Sequence, residues 1–253
     1  MRQCDLTLPS PAENLACDEA LLDLCEDGLS DELLRFWEPS DYFVVLGYAN
    51  SVSREVNLAF CKANQIGVFR RCSGGGTVLQ GPGCLNYSLI LRINESDPLS
   101  GISTTNTFIL NRHIEALASA LQKPVNLQGQ TDLTIGRLKF SGNAQRRRKG
   151  FLIFHGTFLL HFDLALIEKT LPFPSRQPNY REYRSHSDFL TNLGVSSEII
   201  KDALIKAWSA FESLEEIPRE RISQLAREKY EQDEWNLKFQ EKPQAGGVNN
   251  SIL

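Results

Sequence analysis

The chain has 253 residues, 42% hydrophobic and 23% charged, which suffices for one large buried core and is ordinary for a globular fold. A formal net charge of −4 argues against a nucleic-acid binder, and no run nears the eighteen apolar residues of a membrane span. Six cysteines, Cys4, Cys17, Cys25, Cys61, Cys72 and Cys84, form no Cys-x-x-Cys pair, so no metal site is assigned.

In chain order, the start Met1-Arg2-Gln3-Cys4-Asp5 lacks an apolar signal core, so free thiols in a reducing cytoplasm are the expectation. Ser10-Pro11-Ala12-Glu13 predicts a capped helix start, with Leu15, Leu22 and Cys25 near one face and a stop at Gly28. Leu33 to Trp37 and Tyr42 to Leu46 read as strands, split by the turn Glu38-Pro39-Ser40-Asp41. Arg54 to Gln65 reads as one helix, and Val68 to Arg71 as a strand.

Leu85 to Ile93 alternates in period two, a strand signature. Thr104 to Leu121 reads as a helix with Phe108, Ile114, Leu117 and Leu121 inward. Asp132 to Ile135 and Leu138 to Ser141 flank Gly136-Arg137 as a hairpin. Phe151 to Phe162 is a strand, Leu171 to Thr191 a long polar loop, and Glu198 to Phe211 and Glu220 to Tyr230 are helices. The expected organisation is one domain over 1–239 and a disordered tail over 240–253. The mixture without strict βαβ alternation predicts an α+β fold with a mixed, largely antiparallel sheet flanked by helices.

Two stretches carry the chemistry. In Arg70-Arg71-Cys72-Ser73-Gly74-Gly75-Gly76-Thr77-Val78, three glycines let backbone N–H groups meet a ligand, and two guanidinium forks suit phosphate or carboxylate. A plain turn is the alternative reading. In Lys139 to Gly150, Lys139 sits between apolar Leu138 and Phe140, before Ser141-Gly142, where a point charge can hold an anion. A solvated surface lysine is the alternative. Asp132 is within reach on the partner strand, as a turn cap or as a ligand for a cation or amine. The run Arg146-Arg147-Arg148-Lys149 reads as a solvated loop or as a strap over an anionic ligand. His155-Gly156-Thr157 places a glycine inside a strand, a mark of close approach, although a lone histidine there also fits a core position.

Taken together, Arg70–Val78, Leu85-Asn86-Tyr87-Ser88, Lys139–Gly150 and His155-Gly156-Thr157 resemble the biotin/lipoate protein ligase superfamily, on the lipoate–protein ligase A side. Glu13 to Leu21, Leu46-Gly47-Tyr48-Ala49-Asn50, Thr191-Asn192-Leu193 and Glu234-Trp235-Asn236 are similar to further landmarks of that family. The resemblance implies a fold like the catalytic core of class II aminoacyl-tRNA synthetases and biotin ligases. It implies ATP with Mg²⁺, lipoate or octanoate as substrate, and a lysine of a lipoyl carrier domain as acceptor. Glycine cleavage H protein and the E2 of a 2-oxoacid dehydrogenase are such carriers.

Carried over, Arg71 and Gly76-Thr77-Val78-Leu79 would hold the nucleotide, with Ser73, Gly74 and Gly75 in the same loop. Lys139 would be catalytic, on the acyl carbonyl and phosphate. Asp132 would face the reactive carboxyl group, and His155, with Gly156 and Thr157, would line the nucleotide side. Asn86, Ser141, Gly142 and Arg146 complete the expected binding set.

Many relatives have a His-Asp pair after the glycine loop, where this chain reads Leu79-Gln80-Gly81. The C-terminal accessory domain of two-domain ligases is not expected, which points to a separate accessory protein. An octanoyl- or lipoyltransferase working through a cysteine thioester is the alternative activity. No cysteine occurs from Leu85 to Leu253, which leaves Cys72 and Cys84 as its only credible nucleophiles. A non-catalytic acyl-binding module and a biotin ligase are weaker readings.

Overall fold

The computed structural model describes residues 1–94, 98–174 and 176–239; the expected tail from 240 lies outside them. Its elements are β1 (Arg2–Asp5), α1 (Pro11–Glu26), β2 (Leu33–Trp37), β3 (Phe43–Leu46), α2 (Val52–Glu55), α3 (Leu58–Ala63), β4 (Gly67–Arg70), β5 (Val78–Gln80) and β6 (Cys84–Arg92). There follow α4 (Ile102–Leu121), β7 (Asn126–Gln128), β8 (Asp132–Ile135), β9 (Leu138–Arg147), β10 (Phe151–Leu159), α5 (Leu164–Thr170), α6 (His186–Phe189) and α7 (Ser197–Trp208). The described part ends with β11 (Glu212–Ser213), α8 (Arg219–Leu225), a π-helical turn (Ala226–Tyr230) and α9 (Asp233–Asn236).

One eight-stranded sheet runs β11-β1-β2-β6-β10-β9-β8-β7, and a three-stranded sheet runs β4-β3-β5. Pairing in the large sheet is antiparallel except for β1 with β2 and β11. The expected mixed, largely antiparallel sheet flanked by helices is what forms.

Alternation along the central strands sends Leu34, Phe36, Leu89, Leu91, Leu152 and Phe154 to one face, where Ile109, Leu110, Leu117, Ile200 and Leu204 of α4 and α7 cover them. Leu33, Trp37, Ile90 and Ile153 go to the other face, under Leu15, Leu21, Leu22 and Cys25 of α1 and Ile222 and Leu225 of α8. The small sheet has its own core with α3 and α5, including Val44, Leu46, Cys61 and Ile167.

Helix α1 starts as predicted: the Ser10 hydroxyl accepts from Glu13 N, and the Glu13 carboxylate accepts from Ser10 N. It is buried on more than one face, however, because it lies between the sheet and the α8–π segment. Its polar Asn14, Asp18 and Glu19 are as buried as its leucines. The guanidinium of fully buried Arg35 donates to Asp18 at 2.5 Å and to Asn14 Oδ1 at 2.7 Å. Glu19 accepts from Lys229 and Tyr230.

Several predicted elements change. The helix expected over Arg54 to Gln65 is two short ones, because Val56 is extended and Asn57 caps the second through Phe60 N. On α4 the fully buried stripe is Thr105, Ile109, Leu110, His113 and Leu117, with Phe108, Ile114 and Leu121 only partly covered. Residues 171–191 are not a bare loop: they hold a 3-10 turn at Asn179–Arg181 and α6, with Arg181 and Phe189 buried.

Strand β9 continues to Arg147, so the basic run is a strand end and a hairpin turn and not a separate strap. Arg147 donates to Leu99 O and Ser100 O, while Arg148 pairs with Asp23. Each of these cations is already held by the protein around it.

Candidate active site

Residues directly paired across neighbouring strands share a face. Register therefore aligns Trp37, Asn86, Thr157, Gly142 and Asp132 in one row across β2, β6, β10, β9 and β8. A second row runs Arg35, Ser88, His155 and Ala144. All five residues of the first row, with His155 and Ala144 of the second, line one cavity; the glycine loop and Leu15 and Asp18 of α1 add to its walls.

The glycine loop is held by its own arginine. Arg71 Nη2 donates to Gly74 O at 2.5 Å and Gly76 O at 2.8 Å, and Nε donates to Ser73 Oγ at 3.0 Å. Burial lowers its pKa to about 10. Among the described residues no carboxylate forms an ion pair with Arg71, so a buried cation stands on the cavity wall with only neutral partners. Such a cation is stabilised by an incoming anion. Gly75 has φ +87°, and a Cβ there would lie 2.9 Å from Arg71 Nη2. Both facts call for glycine.

Neighbouring Arg70 is fully buried and points the other way. It donates to the carbonyls of Gly47, Tyr48, Asn50 and Asn236, while its own N–H donates to Asn236 Oδ1. Trp235 Nε1 closes this clamp on Arg70 O at 2.7 Å. The C-terminal α9 is thereby fastened to the turn that supports the glycine loop.

At the opposite end of the row, Lys139 Nζ lies 2.8 Å from Asp132 Oδ1, and the Tyr180 hydroxyl donates to Asp132 Oδ2 at 2.8 Å. Burial, with Asp132 nearby, raises the pKa of Tyr180, so it stays a donor. Lys139 reaches the cavity by lying across Gly142, where a Cβ would sit 2.9 Å from its amine.

His155 Nε2 meets Ser73 Oγ at 2.5 Å. Burial and the Arg71 charge lower its pKa to about 4, so it is neutral near pH 7. Because Ser73 Oγ already accepts from Arg71, its own hydrogen is free to go to His155. Gly156 is bare because a Cβ would fall 1.8 Å from Asn143 Oδ1, which accepts from Tyr87 at 2.7 Å. Thr157 accepts from Gln80 Nε2 and donates to Asn86 Oδ1.

Of the residues expected from sequence, Arg71, Gly75, Gly76, Thr77, Val78, Asn86, Asp132, Lys139, Gly142, His155, Gly156 and Thr157 line this cavity. Ser73 and Gly74 lie just behind it, holding Arg71. Leu79 points instead into the core of the small sheet, and Ser141 is buried away from the cavity. Arg146 donates to Cys72 O and braces the loop from outside the lining. Sequence reasoning missed Trp37, Gln80, Thr131 and Asn143, which line the cavity, and Tyr180 behind Asp132. Asn143 lies within the Lys139–Gly150 run without standing out in it, and the others carry no local motif; strand register places Trp37, while Thr131 and Tyr180 arrive on the turns that flank β8.

No group of three or more His, Cys, Asp or Glu able to hold a metal occurs among the described residues. The cavity carboxylates Asp18 and Asp132 are already paired with Arg35 and Lys139. No cysteine lines the cavity. Burial raises the thiol pKa of Cys72 to about 11 and of Cys84 to about 12.

Fold and cavity together define an enzyme core of the lipoate ligase and octanoyltransferase type. Residues 10–208 match the Lipoyl protein ligase A/B catalytic domain, and the chain belongs to that family. It is 31% identical to Lipoate-protein ligase A subunit 1 of Thermoplasma acidophilum, over 88% of this chain and 91% of the relative. It is 28% identical to Octanoyltransferase LipM of Geobacillus kaustophilus, over 90% and 94%.

Among solved structures, a chain from the bi-partite lipoate protein ligase and E2 lipoyl domain system of Thermoplasma acidophilum superposes with TM-score 0.76 at 26% identity, covering 96% of this chain and 99% of that one. A lipoate-protein ligase A bound with ATP superposes with TM-score 0.70 at 29% identity, covering 94% and 100%.

Proposed function

We propose that this protein attaches lipoate or octanoate to the lysine of a lipoyl carrier domain through an acyl-adenylate made from ATP. The observation that carries this reading is that Lys139 lines the cavity and no thiol does. Adenylation builds negative charge on a bridging phosphate. A lysine amine, the Arg71 guanidinium and the backbone N–H groups of Gly75–Thr77 are fixed donors suited to that charge.

Magnesium would enter on the nucleotide phosphates, since the cavity's own carboxylates are engaged and Mg²⁺ commonly binds through phosphate oxygens. The ATP-bound ligase relative supports the nucleotide. The bi-partite ligase and its E2 lipoyl domain support such a domain as acceptor and a second polypeptide as partner, to which this reading assigns the completion of adenylation. The glycine cleavage H protein is the other acceptor this reading admits.

The transferase reading has one observation in its favour, the match to an octanoyltransferase over nine-tenths of the chain. It needs a thiolate beside the acyl carbon, and burial keeps Cys72 and Cys84 protonated near pH 7. Incubation of the protein with ATP, Mg²⁺ and lipoate should release pyrophosphate and form lipoyl-AMP by mass spectrometry. A second polypeptide is added if the isolated chain is slow. Acyl transfer to a lipoyl domain that proceeds without nucleotide would favour the transferase.

A further inference from the structure

The Lys139 end of the cavity is flanked by the segment that follows α5. Tyr180 donates to Asp132, and ten residues on Leu190 forms an isolated bridge with Lys139, with Thr191 N donating to Lys139 O at 2.9 Å. Between these two fastenings the chain turns outward. Glu182 and Tyr183 are both left-handed, with φ of 51° and 58°. Two successive non-glycine residues in that region are uncommon, and such strain concentrates at sites of function.

The turn presents aromatic surface to solvent. Tyr183 is 82% exposed and stacks on Phe173, itself 46% exposed, with ring centroids 6.2 Å apart. A ring left that open contributes little burial to the fold.

Behind the pair the charge is one-sided. Arg181 lies over the rings of Phe173 and Phe189 at 4.9 and 4.8 Å, and Arg184 lies over Phe189 at 5.2 Å. Arg184 donates to the carbonyls of Arg137, Tyr180 and Arg181, and Arg181 donates to that of Arg184. Among the described residues neither guanidinium forms an ion pair with a carboxylate; Glu182 is paired with Arg137, and Asp132 with Lys139.

The side chains of Lys139 and Asp132 stay 24% and 14% exposed, so this end of the site is open to solvent. A protein that brings a lysine amine to an acyl group held at Lys139 must rest on the surface around that opening. Here a carboxylate, Asp132, is bordered by guanidinium groups with only neutral partners. The complement is an ammonium flanked by carboxylates, and such matching fixes the register of an encounter. Exposed tyrosine and arginine are also the side chains that most often dominate interface energy.

We infer that Phe173, Tyr183 and Arg184, backed by Arg181, form the docking surface for the acceptor, a folded carrier domain with carboxylates beside its target lysine. This rests on the reading above only in that the acyl group goes to a carrier lysine, which ligase and transferase share.

Calorimetric titration of the full chain with an apo E2 lipoyl domain tests it. Tyr183→Ala, checked for a native melt, should weaken that binding at least ~10-fold, the scale of a central interface aromatic, while lipoate affinity stays within about twofold of native. Replacing the carboxylates beside the carrier's target lysine by amides should weaken binding to the native chain and remove most of its salt dependence. A benzophenone photo-cross-linker placed at position 183 should capture the lipoyl domain. Native affinity in Tyr183→Ala, unchanged binding of the amidated carrier, or capture only of a second copy or of an accessory polypeptide would overturn the inference and leave the acyl-transfer reading standing. A native chain that neither binds nor acylates the lipoyl domain would remove both.

Discussion

Gly47 and Gly75 meet so closely that a Cβ on Gly47 would lie 2.1 Å from the Gly75 carbonyl oxygen. The contact is made to backbone, and Asn50 Nδ2 pins that same carbonyl at 3.1 Å, so nothing flexible can yield. Gly47→Ala should displace the glycine loop, cost about 1–3 kcal/mol of stability as overpacking does, and abolish nucleotide binding. Thermal unfolding and calorimetry with ATP measure both effects. A folded variant with unchanged affinity would separate the contact from the site.

Lys139→Ala removes the amine that lies across Gly142. The expected loss in the rate of acyl-adenylate formation is about 10²–10³-fold, the scale for one lost transition-state donor. Lys139→Arg should fail as well, because a planar fork does not replace a point charge seated there. Tyr180→Phe takes one hydrogen bond from Asp132 and leaves Lys139 in place, so its loss should be smaller. Single-turnover kinetics rank the three variants, and a Tyr180→Phe defect as large as that of Lys139→Ala would refute the ordering.

Acid should unfold this protein partly through two histidines. His113 is buried, accepts from Trp208 at 2.9 Å and has its pKa lowered by burial to about 3; that of His155 is lowered to about 4. Both fall below the ordinary 6.5, so the unfolded chain binds more protons than the folded one over that interval. Their contribution is complete above pH ~6.5 and is lost as pH falls to about 4 for His155 and about 3 for His113. His113→Gln should flatten a denaturant-midpoint profile between pH 6.5 and 4. An unaltered slope would locate the acid sensitivity elsewhere.

What could be read from the sequence was what is local. The start of α1 was legible because Ser10 and Glu13 cap each other within one turn. The β8–β9 hairpin was legible because Gly136 takes the positive φ such a turn needs. The full length of β9 was not, since its arginines look like solvated loop while their backbone pairs with β10. The burial of Asp18 and Glu19 was hidden because their partners, Arg35 and Lys229, are distant in sequence. Short strands at or next to the sheet edges, such as β1, β7 and β11, hold too few residues to show a period. In the site, the glycine loop and Lys139 announced themselves by composition. Trp37, Gln80 and Tyr180 did not, because only register and the packing of the 179–190 segment against β8 and β9 bring them there.

The central claim is that the acyl group travels as an adenylate and not as a thioester. Intact-mass spectrometry tests it in one experiment, on a mixture of the protein, its accessory polypeptide if required, a lipoyl carrier domain, and either lipoate with Mg²⁺ and ATP or an octanoyl carrier protein without nucleotide. The account predicts that the carrier domain gains one lipoyl mass only when ATP is present. It also predicts that the enzyme keeps its own mass in both mixtures, and that Cys72→Ser with Cys84→Ser changes neither result. An acyl adduct on the enzyme, formed without nucleotide and lost on replacing either cysteine, would contradict it.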